Sequence, residues 1–352
     1  MGCDNRKYPV KTSCQFRTCP FPINFDTYKG CSHACKYCFA NNTNFSKKTI
    51  DAARVIPTGG VKELEAWASG KRGALESWCD WNIPICWGRM TDPFQPCELK
   101  YGRSLECLKW FAKTGYPFIV TTKSVLCAEN EEYLSVLKDC NCVFQMSMCC
   151  SRLDQFEQGA PTYERRLSAL AKIAASVPRL IVRWQPFFNE YLRDSLVTIP
   201  RVADSGAYGI LVGAAYLKKP TRLCNEFYGG VYHYPVALTE KSYLQIRAAC
   251  HAHRLVFLAD DLRRLSDAMP CCTGDTAGLK GFEPCKCNAV YYWLKRDEFK
   301  VTPRMKEAGS GAVFHNIYYQ RDDYSKLKKR SYADLMKQAV LQPDMKDSML
   351  RG

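Results

Sequence analysis

From residue 24 to residue 212, short β-rich runs alternate with stretches of helical spacing, and this alternation constrains the fold more than any other property of the chain. Strand-type runs are expected at residues 24–28, 83–87, 117–122, 143–148, 180–184 and 209–212, with a late one at 255–258. Helices are expected at 61–70, 105–113, 131–138, 162–176 and 243–251, and a short one after residue 184. In the 162–176 stretch Leu167, Leu170, Ile173 and Ala174 recur at helical spacing. Pro161 suits its entry and Val177-Pro178 its end. Strands alternating with helices build βαβ units and a parallel sheet. In barrels of that kind chemistry gathers at the C-terminal ends of the strands.

The first of those ends delivers Cys31-Ser32-His33-Ala34-Cys35-Lys36-Tyr37-Cys38. Three thiolates on one short loop can hold three irons of a [4Fe–4S] cube and leave the fourth open to a substrate or cofactor. The competing metal is zinc, with His33 or a distant cysteine as fourth ligand. Further polar segments follow the next four strand runs. They are Thr91-Asp92-Pro93-Phe94-Gln95-Pro96-Cys97-Glu98, Thr121-Thr122-Lys123-Ser124, Met146-Ser147-Met148-Cys149-Cys150 and Val182-Arg183-Trp184-Gln185-Pro186.

The CxxxCxxC run resembles that of the radical S-adenosylmethionine (SAM) superfamily. The later segments, in the same order over residues 24–265, resemble its spore photoproduct lyase-like, "DNA repair photolyase-like" branch. So does the stretch Glu157-Gln158-Gly159-Ala160-Pro161 with Glu164-Arg165-Arg166, where Gln158 replaces a proline. The resemblance implies an α/β fold, a partial (β/α)6 TIM-like barrel over residues 23–268. An N-terminal extension (1–22) and a Cys-rich C-terminal appendage (269–352) flank it. It implies a [4Fe–4S] cluster on Cys31, Cys35 and Cys38 and reductive cleavage of SAM to a radical that abstracts hydrogen from a substrate. Tyr37 would pack near the adenine, Thr91 and Asp92 hold the SAM amino group, Lys123 pair with its carboxylate and Ser147 approach its ribose. Arg183 would meet SAM or a substrate anion, unless it is a buried arginine paired to a carboxylate. A reductant such as flavodoxin or ferredoxin would supply the electron. One departure stands out: Arg89-Met90 occupy the region where spore photoproduct lyase carries a hydrogen-returning cysteine. Cys86, on the strand, is better read as core packing. Cys149, Cys150 and Tyr216, near other strand ends, are the remaining relay candidates.

Twenty-one cysteines with an N-terminus that carries no apolar signal region suit a reducing cytoplasm. No apolar run reaches the ~18 residues of a membrane span. Cys271, Cys272, Cys285 and Cys287 could hold an auxiliary iron–sulfur cluster or zinc, with Cys14 and Cys19 as spare ligands. Asp260-Asp261 could face the barrel mouth or cap a helix. The net charge of +15 points to an anionic partner, nucleic acid first. Its densest run is Lys326-Leu327-Lys328-Lys329-Arg330. A peptide or small metabolite is the alternative substrate. A non-catalytic metal-binding nucleic-acid module is the alternative of another class.

Overall fold

The structure, a computed structural model, describes residues 11–12, 23–38, 54–69, 84–228, 231–259, 269–270 and 279–280. The strands in chain order are β1 (Lys11–Thr12), β2 (Ile23–Phe25), β3 (Tyr28–Lys29), β4 (Ile56–Pro57), β5 (Ile85–Trp87), β6 (Phe118–Thr122) and β7 (Cys142–Ser147). They continue with β8 (Arg179–Phe187), β9 (Gly209–Ala214), β10 (Glu226–Tyr228), β11 (Val231–His233), β12 (Val256–Ala259) and β13 (Met269–Pro270). The helices are α1 (Val61–Ala68), α2 (Glu98–Tyr101), α3 (Arg103–Thr114), α4 (Leu126–Glu129), α5 (Glu131–Lys138), α6 (Tyr163–Ala174), α7 (Leu192–Leu196), α8 (Ile199–Asp204) and α9 (Val236–Ala252).

Nine strands form one sheet in the order β1-β2-β5-β6-β7-β8-β9-β12-β13. Every neighbouring pair from β2 onward is parallel, and β1 adds antiparallel at the edge. Neighbours in space are neighbours in sequence, with a helical crossover between most of them, so the fold is the α/β partial barrel expected from the alternation. The two faces of the strands differ, because successive side chains point to opposite sides. One face carries Phe25, Trp87, Phe118, Val120, Phe144, Val182 and Val212, all buried. Trp87 packs its ring against Phe94, Phe118 and Phe111 of α3, which identifies this as the helix-covered side. The other face carries Thr121, Gln145 and Arg183, joined across β6, β7 and β8. Thr121 Oγ1 donates to Gln145 Oε1 at 3.0 Å and Arg183 Nη1 to the same oxygen at 2.8 Å. The side-chain bonds that run from strand to strand across β6, β7 and β8 are thus on the inner side.

Several elements differ from the sequence reading. β8 runs on to Phe187, through Pro186, with a register shift between Trp184 and Phe187. α9 starts seven residues before the expected helix, because the residues its first turns bury, Thr239 and Ser242, are polar and make no apolar stripe. The first strand run divides into β2 and β3, and β3 leaves the main sheet to pair with β4. The β10–β11 hairpin was not expected. The N-terminal extension is described only at β1. Asp260, Asp261, Cys14, Cys19, the appendage cysteines Cys271, Cys272, Cys285 and Cys287, and the basic run at 326–330 lie outside the described residues. Among the described residues no helix is long and apolar enough to cross a membrane.

Glu98, at the start of α2, ties the helical layer to the strand ends. Its buried carboxylate accepts from the hydroxyls of Tyr28 and Tyr133 (the latter at 2.7 Å) and from the backbone N–H of Ser104 and Leu105, both at 2.9 Å. Removing it would strand three buried donors at once, the Tyr28 and Tyr133 hydroxyls and the Ser104 N–H, each costing about 1 kcal/mol or more. We expect Glu98→Ala to lower the unfolding free energy by about 3 kcal/mol and Tyr133→Phe by about 1 kcal/mol, read from denaturant titrations. Equal midpoints for Glu98→Ala and the parent would show that the carboxylate holds nothing.

Candidate active site at the cysteine loop

The loop 30–38 leaves β3 and is shaped by its own backbone. Ala34 N–H reaches Cys31 O at 3.4 Å and Cys38 N–H reaches Cys35 O at 3.0 Å. Two neighbouring segments clamp it. From the β5 side, Gln95 accepts from Ser32 N–H at 2.8 Å and donates to Gly30 O at 3.1 Å. From the segment after β7, Lys36 N–H reaches Phe156 O at 2.9 Å and Gly159 N–H reaches His33 O at 3.1 Å. Gly159 lies so close that a Cβ there would fall 2.1 Å from Ser32 O. Only glycine permits that approach.

Asp92 joins this loop to the barrel. Its Oδ1 accepts from Phe94 N–H at 2.9 Å and Thr122 Oγ1 at 2.7 Å, and its Oδ2 from Lys123 N–H at 2.6 Å. Oδ2 also meets His33 Nε2 at 3.0 Å. Burial alone would push the Asp92 carboxyl up, but His33 outweighs it and holds it below the ordinary value. Burial likewise works to lower His33, and Asp92 overrides it and raises it. The other ring nitrogen, Nδ1, lies 2.9 Å from Gly159 O. The imidazole of His33 thus lies between the Asp92 carboxylate and the Gly159 carbonyl. Both Asp92 oxygens thus have partners within the chain. Thr91 also bonds inward, its hydroxyl to Tyr28 O at 3.1 Å and its N–H to Asp26 Oδ1 at 3.3 Å.

Beside the loop the structure brings together Tyr37, Lys123, Ser147 and Glu157. Lys123 Nζ donates to Ser147 Oγ at 2.8 Å, lies 3.5 Å from Glu157 Oε1 and sits 5.7 Å from the centre of the Tyr37 ring. Tyr37 donates its hydroxyl to Glu157, and Arg166 donates to the other Glu157 oxygen while reaching Ser147 O at 2.8 Å. Burial pulls Lys123 below its ordinary value. Burial raises Glu157, with Arg166 opposing the rise. Burial also pushes the Cys31 thiol up to about 12, with Asp92 adding to it, and Cys35 to about 11, with Lys123 opposing.

Sequence reasoning assigned no role to Glu157 or Arg166, although both stand in a motif stretch. Their signal was a carboxylate and an arginine flanking a glycine that must approach another chain segment. Arg183 lies on the inner face against Gln145 and Gln185. The relay candidates are placed differently. Cys149 is buried, its Sγ 3.2 Å from Ser195 Oγ of α7, while Tyr216 is 46% exposed and packs on His233. Cys86 is buried and accepts from Arg89 Nη2 at 3.2 Å.

Among the described residues no three His, Cys, Asp or Glu side chains are gathered to hold a metal ion. A single tetrahedral ion needs donors converging on one point. A cube takes each thiolate on a different iron, so it accepts donors spread around it. The donor set, all sulfur on one loop, fits a cluster with one iron left open, as it would fit zinc with a fourth ligand added.

No protein-family model matches the chain. Uncharacterized proteins of Mycobacterium bovis and Mycobacterium tuberculosis are 27% identical over 218 residues, which is 58% of this chain and 61% of each of theirs. The chain thus matches less than two thirds of the length of these curated relatives. Among solved structures, Streptococcus suis SuiB bound to S-adenosylmethionine is similar at a TM-score of 0.47 and 10% identity, over 88% of this chain and 68% of that one. The structure of anSMEcpe with bound AdoMet gives 0.41 and 11% identity over 66% and 60%. The cobalamin-dependent S-adenosylmethionine radical enzyme OxsB gives 0.39 and 12% over 86% and 46%.

Gly159→Ala forces either the cysteine loop or the 151–161 segment to move, and we expect it to lower stability by about 2 kcal/mol. The loss should come with faster hydrogen exchange at the Lys36 and Gly159 amides. Unchanged exchange at both would mean the clamp is not tight.

Proposed function

We propose that this chain is a radical SAM enzyme whose cluster is held by Cys31, Cys35 and Cys38. The observation that carries the reading is the grouping of this cysteine loop with Tyr37, Lys123, Ser147 and Glu157 at the C-terminal ends of the parallel strands. When bound, the cluster would supply one electron to split SAM reductively, and the resulting radical would abstract hydrogen from the substrate. The protein's own part is positional and electrostatic. Gln95, Gly159 and the His33–Asp92 pair fix the loop. Lys123 offers a nearly buried ammonium, its side chain 14% exposed, suited to the SAM carboxylate. Glu157 sets the place of that ammonium and of the Tyr37 ring, and Ser147 supplies the hydroxyl beside it. Arg183, on the inner face, would meet a substrate anion.

Within this reading a nucleic-acid substrate is favoured by the +15 charge and by the resemblance to the spore photoproduct lyase-like branch. A structural metal module would have no use for a lysine and a glutamate buried beside the thiols. The test is anaerobic reconstitution with iron and sulfide, then SAM and a strong reductant. We expect 5′-deoxyadenosine from the parent and none from Cys35→Ala. Lys123→Ala should raise the KM for SAM by about 10- to 100-fold. A preparation that takes up zinc and no iron would overturn the reading.

A further inference from the structure

Two adjacent thiols stand where the proposed chemistry does not use them. Cys149 and Cys150 follow β7 directly and are 3% and 1% exposed. They hydrogen-bond each other, and Cys149 Sγ lies 3.2 Å from Ser195 Oγ of α7. The Cys149 thiol and the Arg152 N–H both donate to the Cys150 sulfur and hold it below the ordinary thiol value, against the pull of burial. Burial raises Cys149, which stays a thiol. The thiolate is the reactive form of cysteine, so Cys150 is the nucleophile of the pair. At the surface the same two segments are bridged by Arg152 and Asp194, 3.5 Å apart and both well exposed. Such a pair contributes only about 0–1 kcal/mol, so the segments can part to admit a small solute.

The place of the pair gives its oxidation a consequence. On the strand side the backbone is fixed: Met148 N–H reaches Arg183 O at 3.0 Å, and Arg166 Nη1 reaches Ser147 O at 2.8 Å. On the other side begins the 151–161 segment, with Leu153 N–H on Cys150 O at 3.1 Å. That segment clamps the cysteine loop through the Lys36–Phe156 and Gly159–His33 backbone bonds. Neighbouring Cα atoms across a trans peptide are about 3.8 Å apart, and a relaxed disulfide sets its Cα atoms about 4.4–6.8 Å apart. Joining the two sulfurs must therefore twist the backbone at 149–150. The sheet cannot follow, so the shift passes into the clamp. A disulfide under such strain is also easily reduced again.

We propose that Cys149 and Cys150 are a peroxide-reactive dithiol whose reversible disulfide loosens the hold on the cysteine loop. The Cys150 sulfur attacks a peroxide oxygen, forming an S–O bond as the O–O bond breaks and water leaves. Cys149 then attacks that sulfur, forming the S–S bond and releasing a second water. The two thiols together lose two electrons and two protons, and one hydrogen peroxide takes them up. The step needs neither cluster nor SAM, so it goes beyond the reading above and stands apart from it.

The test treats the anaerobically purified full chain, without SAM, with an equimolar amount of hydrogen peroxide and blocks the remaining thiols after unfolding. Chymotrypsin then releases residues 145–153, in which Cys149 and Cys150 are the only cysteines. This peptide should lose two hydrogens at least about tenfold faster than the buried Cys107 and Cys127 are oxidised, and dithiothreitol should restore it. Cys149→Ser should trap a sulfenic acid on Cys150 that dimedone labels, and Cys150→Ser should give none at residue 149. Hydrogen exchange at the Lys36 and Gly159 amides should speed up about three- to tenfold on oxidation of the parent and return with dithiothreitol. In Cys149→Ser/Cys150→Ser the same treatment should leave both amides unchanged, and thermal unfolding should show all variants folded. Oxidation of Cys107 or Cys127 ahead of the pair overturns the proposal. So does a sulfinic acid with no disulfide, a disulfide with unchanged exchange at both amides, or an equal rise in exchange in the double variant.

Discussion

The Asp92 carboxylate is buried, and a buried charge costs several kcal/mol unless donors surround it. Here the donors come from three places that are far apart in sequence: His33 of the cysteine loop, Phe94 of its own turn, and Thr122 with Lys123 at the end of β6. Satisfying one carboxylate therefore fixes the cysteine loop relative to the barrel. The opposed shifts of the pair, His33 raised and Asp92 lowered, agree that the charged form is the one stabilised. Everything the site can do depends on that anchorage, since the loop itself is a run of turns with no helix or strand between residues 30 and 38.

The sheet supplies the second constraint. The helix-covered face of the strands is filled by Phe, Trp and Val, and Lys123, Gln145, Ser147 and Arg183 stand on the other face. There each meets a neighbour one strand away, as in Thr121–Gln145–Arg183 and Lys123–Ser147. Side-chain bonding across parallel strands lets a polar layer survive inside a barrel without leaving donors unmet.

Much of this was legible in the chain. The strand order and the placing of Lys123 and Ser147 at strand ends follow from alternation alone, since a residue after a parallel strand run must stand at the same end of the barrel. What was not legible depends on approach between segments. Glu157 and Arg166 belong to a readable motif, yet their meaning arises only when residues 151–161 fold over the loop, which no local pattern dictates. The extension of β8 through Pro186 was hidden because proline ordinarily ends a strand. The β10–β11 hairpin did carry a signal, Gly229-Gly230 between Phe227-Tyr228 and Val231-Tyr232, the two-residue spacing of a tight turn.

Charge bookkeeping around the thiols links these parts. Lys123 and Arg166 both reach Glu157, and Asp154, which Arg166 touches at 3.3 Å, is partly open to solvent. With Lys123 protonated, the buried core of the group holds two cations against one carboxylate. That surplus lies next to Cys35, where Lys123 and Arg166 both work against the rise that burial imposes on the thiol. Cys31 sits on the opposite side, next to Asp92, and feels the reverse. A neutral core would have been easier to bury, so retention of the extra cation makes sense where an anion is to be accommodated. Thiolates formed when the cysteines lose their protons to bind iron, or a carboxylate brought in by a cofactor, would each complete the balance, because either replaces lost hydration with a fixed opposite charge. The same reasoning explains why Tyr37 rather than an aliphatic residue faces Lys123: an aromatic ring lets the ammonium keep an electrostatic partner on its water-poor side.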